Sequence, residues 1–206
     1  MATRATPRLR RGRPGEPAPP PAERPGIPSI VFGTLVFIGS EVMFFAALIS
    51  AFLVLRAGAG GWPPPGQPRL PMGLTLANTL VLFASAWTMW RAQRAVRADD
   101  RHGLAQWLGV TVTLGAVFVL VQGTEWIRML AFGLDATANL YGAVFYTVIA
   151  THGAHVLGGI ALLLFVWWRA RAGRYRATSH DGVDAAALFW YFVVGIWPLL
   201  FTLVYL

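Results

Sequence analysis

The sequence predicts an all-α fold, an integral membrane bundle of five transmembrane helices. Three observations carry that prediction. The 206-residue chain is 56% hydrophobic and only 13% charged, about half the charged share of an ordinary soluble domain. Five apolar segments are each close to or above the ~20 residues a helix needs to cross a bilayer. The seventeen basic residues, all of them Arg, fall unevenly on the connections between those segments.

Residues 1–27 are rich in Arg, Pro and Ala and nearly devoid of large apolar side chains. Such a segment cannot bury a core and is expected to be a disordered basic tail, leaving 28–206 as the transmembrane domain. The first span is Ile30–Leu55. It starts too late and runs too long for the ~7–15-residue core of a cleaved signal peptide. The connection GAGGWPPPGQPRLP, punctuated by Gly and Pro, is expected to be extended. Leu70–Trp90, Leu104–Gln122, Leu140–Trp168 and Ala185–Leu206 complete the set. Pro198 inside the last span should kink it or free a backbone carbonyl. No internal repeat is apparent.

Charge sets the expected orientation. The tail carries Arg4, Arg8, Arg10, Arg11, Arg13 and Arg24; the second connection Arg91, Arg94, Arg97 and Arg101; the fourth Arg169, Arg171, Arg174 and Arg176. The first and third connections share Arg56, Arg69 and Arg128. Under the positive-inside rule the N-terminus is cytoplasmic and the C-terminus lies on the far side, which is the periplasm for a bacterial inner-membrane protein. The same alternation explains the net charge of +8 through topology and anionic lipid, without nucleic acid. Trp62, Trp90, Trp107, Trp126, Trp167 and Trp168 fall near span ends, as an aromatic belt requires.

Polar residues inside the spans are the candidate site. Glu41 is the sole charged residue between Ile30 and Leu55. A carboxylate near the centre of a span costs roughly 2.5–3.5 kcal/mol on insertion scales, so it is expected to face protein or a wet cavity. His152 and His155, three apart in THGAHVLGG, share one helical face at similar depth. Glu41 is expected to pair with His155 or its surroundings; the alternative is a carboxyl kept protonated by desolvation. Glu125 closes the third span with Arg128 three residues on, a spacing that suits either an interfacial ion pair or a functional carboxylate. Gly153, Gly158 and Gly159 thin the fourth helix for close packing. With two intramembrane His, no Cys and no carboxylate close in sequence to orient them, no metal site is expected. Phosphate-binding loops, the GxSxG elbow, HExxH and dinucleotide fingerprints are absent from the sequence.

Six pieces then come in order: SEVMFF (Ser40–Phe45), LANTLVLFAS (Leu76–Ser85), TLGAVFVLVQGTEW (Thr113–Trp126), LYGAVFY (Leu140–Tyr146), THGAHVLGG (Thr151–Gly159) and AAALFWYFVVGIW (Ala185–Trp197). Together they resemble subunit III of the haem–copper terminal oxidases, the cytochrome c oxidase type, over about residues 28–206. The loop WPPPGQP resembles the one this family places before its LNT-type helix, here the one carrying LANTLVLFAS. The resemblance implies the short bacterial form, which lacks two N-terminal helices of the long members. It implies a subunit with no cofactor or catalytic centre of its own. Haem and copper then reside in partners, the catalytic subunit I and a copper-binding subunit II or its quinol-oxidase equivalent, with room for other subunits of a respiratory complex. It also implies a phospholipid-filled cleft with Glu41, Glu125, His152 and His155 as the family's intramembrane residues, a route for O2, support of proton uptake, and protection of the active site during turnover.

The resemblance has departures and rivals. The family's common WHFVDVVW reads WYFVVGIW here, with Tyr191 in place of His and Val194 in place of Asp. A quinol oxidase subunit III and a homologue accompanying nitric oxide reductase share the fold. A proton-coupled transporter using Glu41 and the histidines is the rival from another class, and a purely structural assembly subunit is a third. Transporters tend to show paired repeats, and five spans do not divide into two.

Overall fold

A computed structural model describes residues 26–61, 72–131 and 140–205. The tail up to residue 25, Trp62, Arg69 and the WPPPGQP loop lie outside the described residues. Within them the chain is five helices: α1 (Ser29–Gly58), α2 (Met72–Arg97), α3 (Arg101–Ala131), α4 (Leu140–Arg171) and α5 (Asp181–Tyr205). Each is long and apolar enough to span a membrane. The helices outrun the apolar segments at several ends. Arg94 and Arg97 lie in the last turn of α2, and Arg169 and Arg171 in that of α4. Long Arg stems run along apolar surface while their heads reach polar surroundings, and cations favour the negative end of a helix.

Two turns show why the chain reverses where it does. Asp99 takes a left-handed φ of 55°, a conformation Asp tolerates better than most side chains. Asp100 then caps α3: its Oδ1 accepts the Gly103 N–H at 2.8 Å, the bond expected of an Asp N-cap. A side chain at 103 would collide with that same carboxylate. At the other turn Gly173 (φ 69°) ends α4, with its N–H on the Ala170 carbonyl and the Arg174 N–H on that of Arg169. That is a left-handed glycine cap. Asp181 and Asp184 open α5, where the helix dipole favours negative charge.

These turns share one end of the bundle. Asp99 accepts the Ala177 N–H at 3.1 Å, and Asp184 accepts from Gln93 at 2.6 Å and Arg97 at 3.3 Å. The opposite end is tied by Arg56, which donates to the Leu203 carbonyl at 3.1 Å. α2 and α3 form the most extensive pair, and α5 touches α1, α2 and α4. α1 packs on α4 and α5 alone among the described helices, and of its thirty residues only Phe45 and Phe52 are buried. Ile30, Phe32, Val36, Met43 and Val54 stand exposed along it, so this helix offers apolar surface to lipid or to another subunit.

The interior is apolar with polar fastenings. Trp190 donates to Ser85 Oγ at 3.1 Å and Trp197 to Thr79 Oγ1 at 2.9 Å. Thr88 and Thr111 join α2 to α3 at 2.9 Å, and Asn78 donates to the Phe118 carbonyl at 3.0 Å. α2 therefore buries Thr75, Asn78, Thr79, Ser85 and Thr88. In lipid the apolar effect between helices is weak, and small polar residues that pack closely and hydrogen-bond supply the association. α5 continues through Pro198 to Tyr205.

Candidate functional site

α1 and α4 bring the central carboxyl and imidazole together. His155 Nε2 lies 2.9 Å from Glu41 Oε2, with side-chain exposures of 19% and 16%. The other ring nitrogen, Nδ1, lies 2.8 Å from the Thr151 carbonyl oxygen. A carbonyl only accepts, so Nδ1 must carry a proton. Two arrangements are then consistent with the Nε2 contact. Either an imidazolium donates to a carboxylate, or a protonated carboxyl donates to a neutral imidazole. Both leave the pair with no net charge, which is the form an apolar medium penalises least. Phe44 and Phe45 wall the pair, with ring centroids 6.3 and 5.0 Å from that of His155.

His152 diverges from its partner of the same motif. It is 1% exposed and stacks on Trp197 with centroids 5.1 Å apart and an interplanar angle of 25°. The edge of Phe45 approaches at 6.5 Å. Three residues advance a helix by about 300°, so neighbouring side chains on a shared face can still meet different helices. His155 meets α1, while His152 meets the Trp197 ring of α5. Neither His152 nitrogen has a hydrogen-bond partner among the described residues.

Glu125 forms a separate feature. It is 1% exposed, and α3 extends past it to Ala131. Its Oε2 accepts from Thr75 Oγ1 at 2.8 Å and Gln122 Nε2 at 3.2 Å. Arg128 is exposed, and the ion pairs within 4.0 Å among the described residues do not include it. Of the two readings of this spacing, the i,i+3 ion pair is not formed: Glu125 is held by Thr75 across the α2–α3 seam and by Gln122 one turn earlier on α3 itself, as a buried polar group requires partners.

The glycines divide. A Cβ at Gly153 would stand 2.7 Å from Trp126 Cη2, and one at Gly159 3.0 Å from Trp190 Cε3. Gly158 faces open space, with nothing within 4 Å of that position, so it makes no close helix contact among the described residues. Gly115, which sequence reasoning passed over, completes the Trp190 notch at 2.8 Å from Cη2. Its signal was faint, one Gly in an apolar helix whose partner lies 75 residues on.

The two family departures have local accounts. Tyr191 donates its hydroxyl to Gln93 Oε1 at 2.8 Å, and Gln93 passes on to Asp184, which also lies 3.2 Å from His180 Nε2. Val194 is buried, so it removes a carboxylate that would need a partner there. No group of three or more His, Cys, Asp or Glu side chains able to hold a metal occurs among the described residues. A groove of about 740 Å³ runs along α3 and α4 at the Arg-rich end, lined by His102, Gln106, Trp107, Val110, Trp167 and Arg171 among others. Arg171 lies over the Trp167 ring at 5.1 Å. Glu41 and His155 are not part of its wall.

The family model described as cytochrome c oxidase subunit III matches residues 26–206. The chain is 41% identical over 177 residues to the cytochrome c oxidase subunit 3 of Synechocystis sp., covering 85% of this chain and 75% of that one. It is 38% identical over 177 residues to that of Thermostichus vulcanus, covering 85% and 86%. It is 35% identical over 183 residues to a probable cytochrome c oxidase subunit 3 of Mycobacterium tuberculosis, covering 88% and 89%.

Proposed function

The chain belongs to the cytochrome c oxidase subunit III family, and we propose that it is the non-catalytic third subunit of a bacterial aerobic oxidase. In this reading, electrons reach O2 in partner subunits that carry haem and copper. This chain stabilises the catalytic subunit, retains phospholipid against its surface, and supports O2 access and proton uptake. The observation that carries the reading is the Glu41–His155 bond at 2.9 Å. It is a pair with no net charge that joins α1 to α4, and among the described residues no cluster of metal-ligating side chains surrounds it. Such a pair can fasten helices and hold a proton, but it has no redox capacity of its own. Lipid retention draws support from the α3–α4 groove, which has an Arg171–Trp167 mouth above apolar walls, and from the exposed apolar length of α1.

Isolating the chain by an affinity tag from its native membrane tests the proposal. Haem-bearing subunits with O2-reducing activity are expected to accompany it. A chain that purifies alone and moves solute into vesicles overturns it.

The orientation is part of the proposal: the end carrying both Arg-rich turns faces the cytoplasm. The chain has no Cys, which makes the test direct. A membrane-impermeant thiol reagent is expected to label Thr178→Cys from the cytoplasmic side and Gly60→Cys from the periplasmic side. The reverse pattern means the bundle is inverted.

A further inference from the structure

A cavity of about 190 Å³ lies between α3, α4 and α5 beside His152, bounded by Phe118, Gln122, Trp126, Gly153 and Trp197 among others. Most of its wall is apolar, yet His152 and Trp126 bring polar atoms to it. Both ring nitrogens of His152 and the indole Nε1 of Trp126 are buried without a partner among the described residues. Leaving such groups dry is costly, and lipid hydrocarbon offers no hydrogen-bonding atom to relieve it. The position of Trp126 is no accident of loose packing. A Cβ at Gly153 would fall 2.7 Å from its ring, so the glycine admits the indole against α4 and holds it at the cavity wall.

We propose that this cavity is a water-binding site in the membrane interior that hydrates His152. The donor and acceptor inventory fits. A neutral imidazole offers one donor and one acceptor, and an indole offers one donor. A water molecule can accept the Trp126 N–H and donate to the bare nitrogen of His152. Buried waters make about three hydrogen bonds each, and each occupies about 30 Å³ in the liquid, so the volume suffices for a small cluster. Gln122 extends the polar wall, since its Nε2 donates to Glu125. The water site therefore lies one side chain away from the buried carboxylate of α3. A metal ion is a poor occupant, because His152 would be its single strong ligand there. A gas or hydrocarbon guest would fill the space but leave the three nitrogens unpaired.

The test uses the intact oxidase complex. In a density map that resolves ordered water, a peak is expected about 2.7–3.2 Å from Trp126 Nε1, with a His152 nitrogen in reach of the same water or its neighbour. Trp126→Phe removes the donor while keeping the ring, and is expected to abolish that peak. Ultraviolet resonance Raman in heavy water supplies an independent measurement. Taken as the difference from Trp126→Phe, the Trp126 N–H is expected to convert to N–D well before the bonded N–H groups of Trp190 and Trp197. An empty cavity in the map, a Trp126 N–H as protected as those two, or xenon filling the space under pressure each overturns the proposal.

Discussion

Replacing Glu41 by Ala is expected to destabilise the bundle by about 2–3 kcal/mol. Removing one member of a fully buried ion pair costs roughly 3–5 kcal/mol, and the partial exposure of these side chains, 16% for Glu41 and 19% for His155, reduces that. The loss arises chiefly at His155, whose Nε2 keeps no acceptor or donor while Nδ1 remains on the Thr151 carbonyl. Glu41→Gln should cost less than about 1 kcal/mol, since an amide can still donate to the neutral imidazole. Thermal unfolding of the complex and retention of this subunit in detergent check both values. The Glu41→Ala, His155→Ala double-mutant cycle should return a coupling of about 1–3 kcal/mol. Sustained O2 turnover separates roles. If the pair only fastens α1 to α4, Glu41→Gln turns over like the parent. If it holds a proton, Glu41→Gln loses turnover while staying folded.

Gly115→Val is expected to destabilise the chain by about 2–4 kcal/mol. Overpacking a tight site costs roughly 1–3 kcal/mol, and the Trp190–Ser85 hydrogen bond adds about 1 kcal/mol when broken. The contact is severe because nothing nearby can move freely. A Cβ would stand 2.8 Å from Trp190 Cη2 and 3.3 Å from Ile160 Cγ1, and Trp190 is fully buried with its N–H engaged. Gly159→Val presses the same ring from α4 and should act alike. Gly158→Val is the control, with open space around it and an expected change below about 0.5 kcal/mol. Equal losses at 158 and 115 would mean that the glycines serve helix flexibility and not the Trp190 notch.

The local sequence rules were most informative where one helix is sufficient to decide the outcome. Glu41 announced itself by cost, as a lone carboxyl within an apolar run, and the 3.6-residue period put His152 and His155 on neighbouring positions. The same rules could not say that the two histidines serve different partners. A helical face is about 100° wide, and which part of it meets α1 or α5 depends on how far each helix is rotated. Glu125 shows the same gap. Arg128 is its neighbour along α3, but besides Gln122 the donor that engages it is Thr75, fifty residues earlier on α2. Gly153, Gly158 and Gly159 read alike in a row, yet only two of them meet a ring.

By itself, then, the sequence determined five spans, their alternating basic ends, a carboxyl and an imidazole at one depth, and membership of an oxidase subunit family. The first three follow from composition and period within single segments, and the last from a resemblance carried by six motifs in order along the chain. The pairing of Glu41 with His155 was expected from the sequence and is met at 2.9 Å; tertiary structure alone decided that His152 stacks on Trp197 beside a cavity, and that Trp190 rests on Gly115 and Gly159. Those contacts depend on the rotation and separation of packed helices to within an ångström, and hydropathy is averaged over a whole turn.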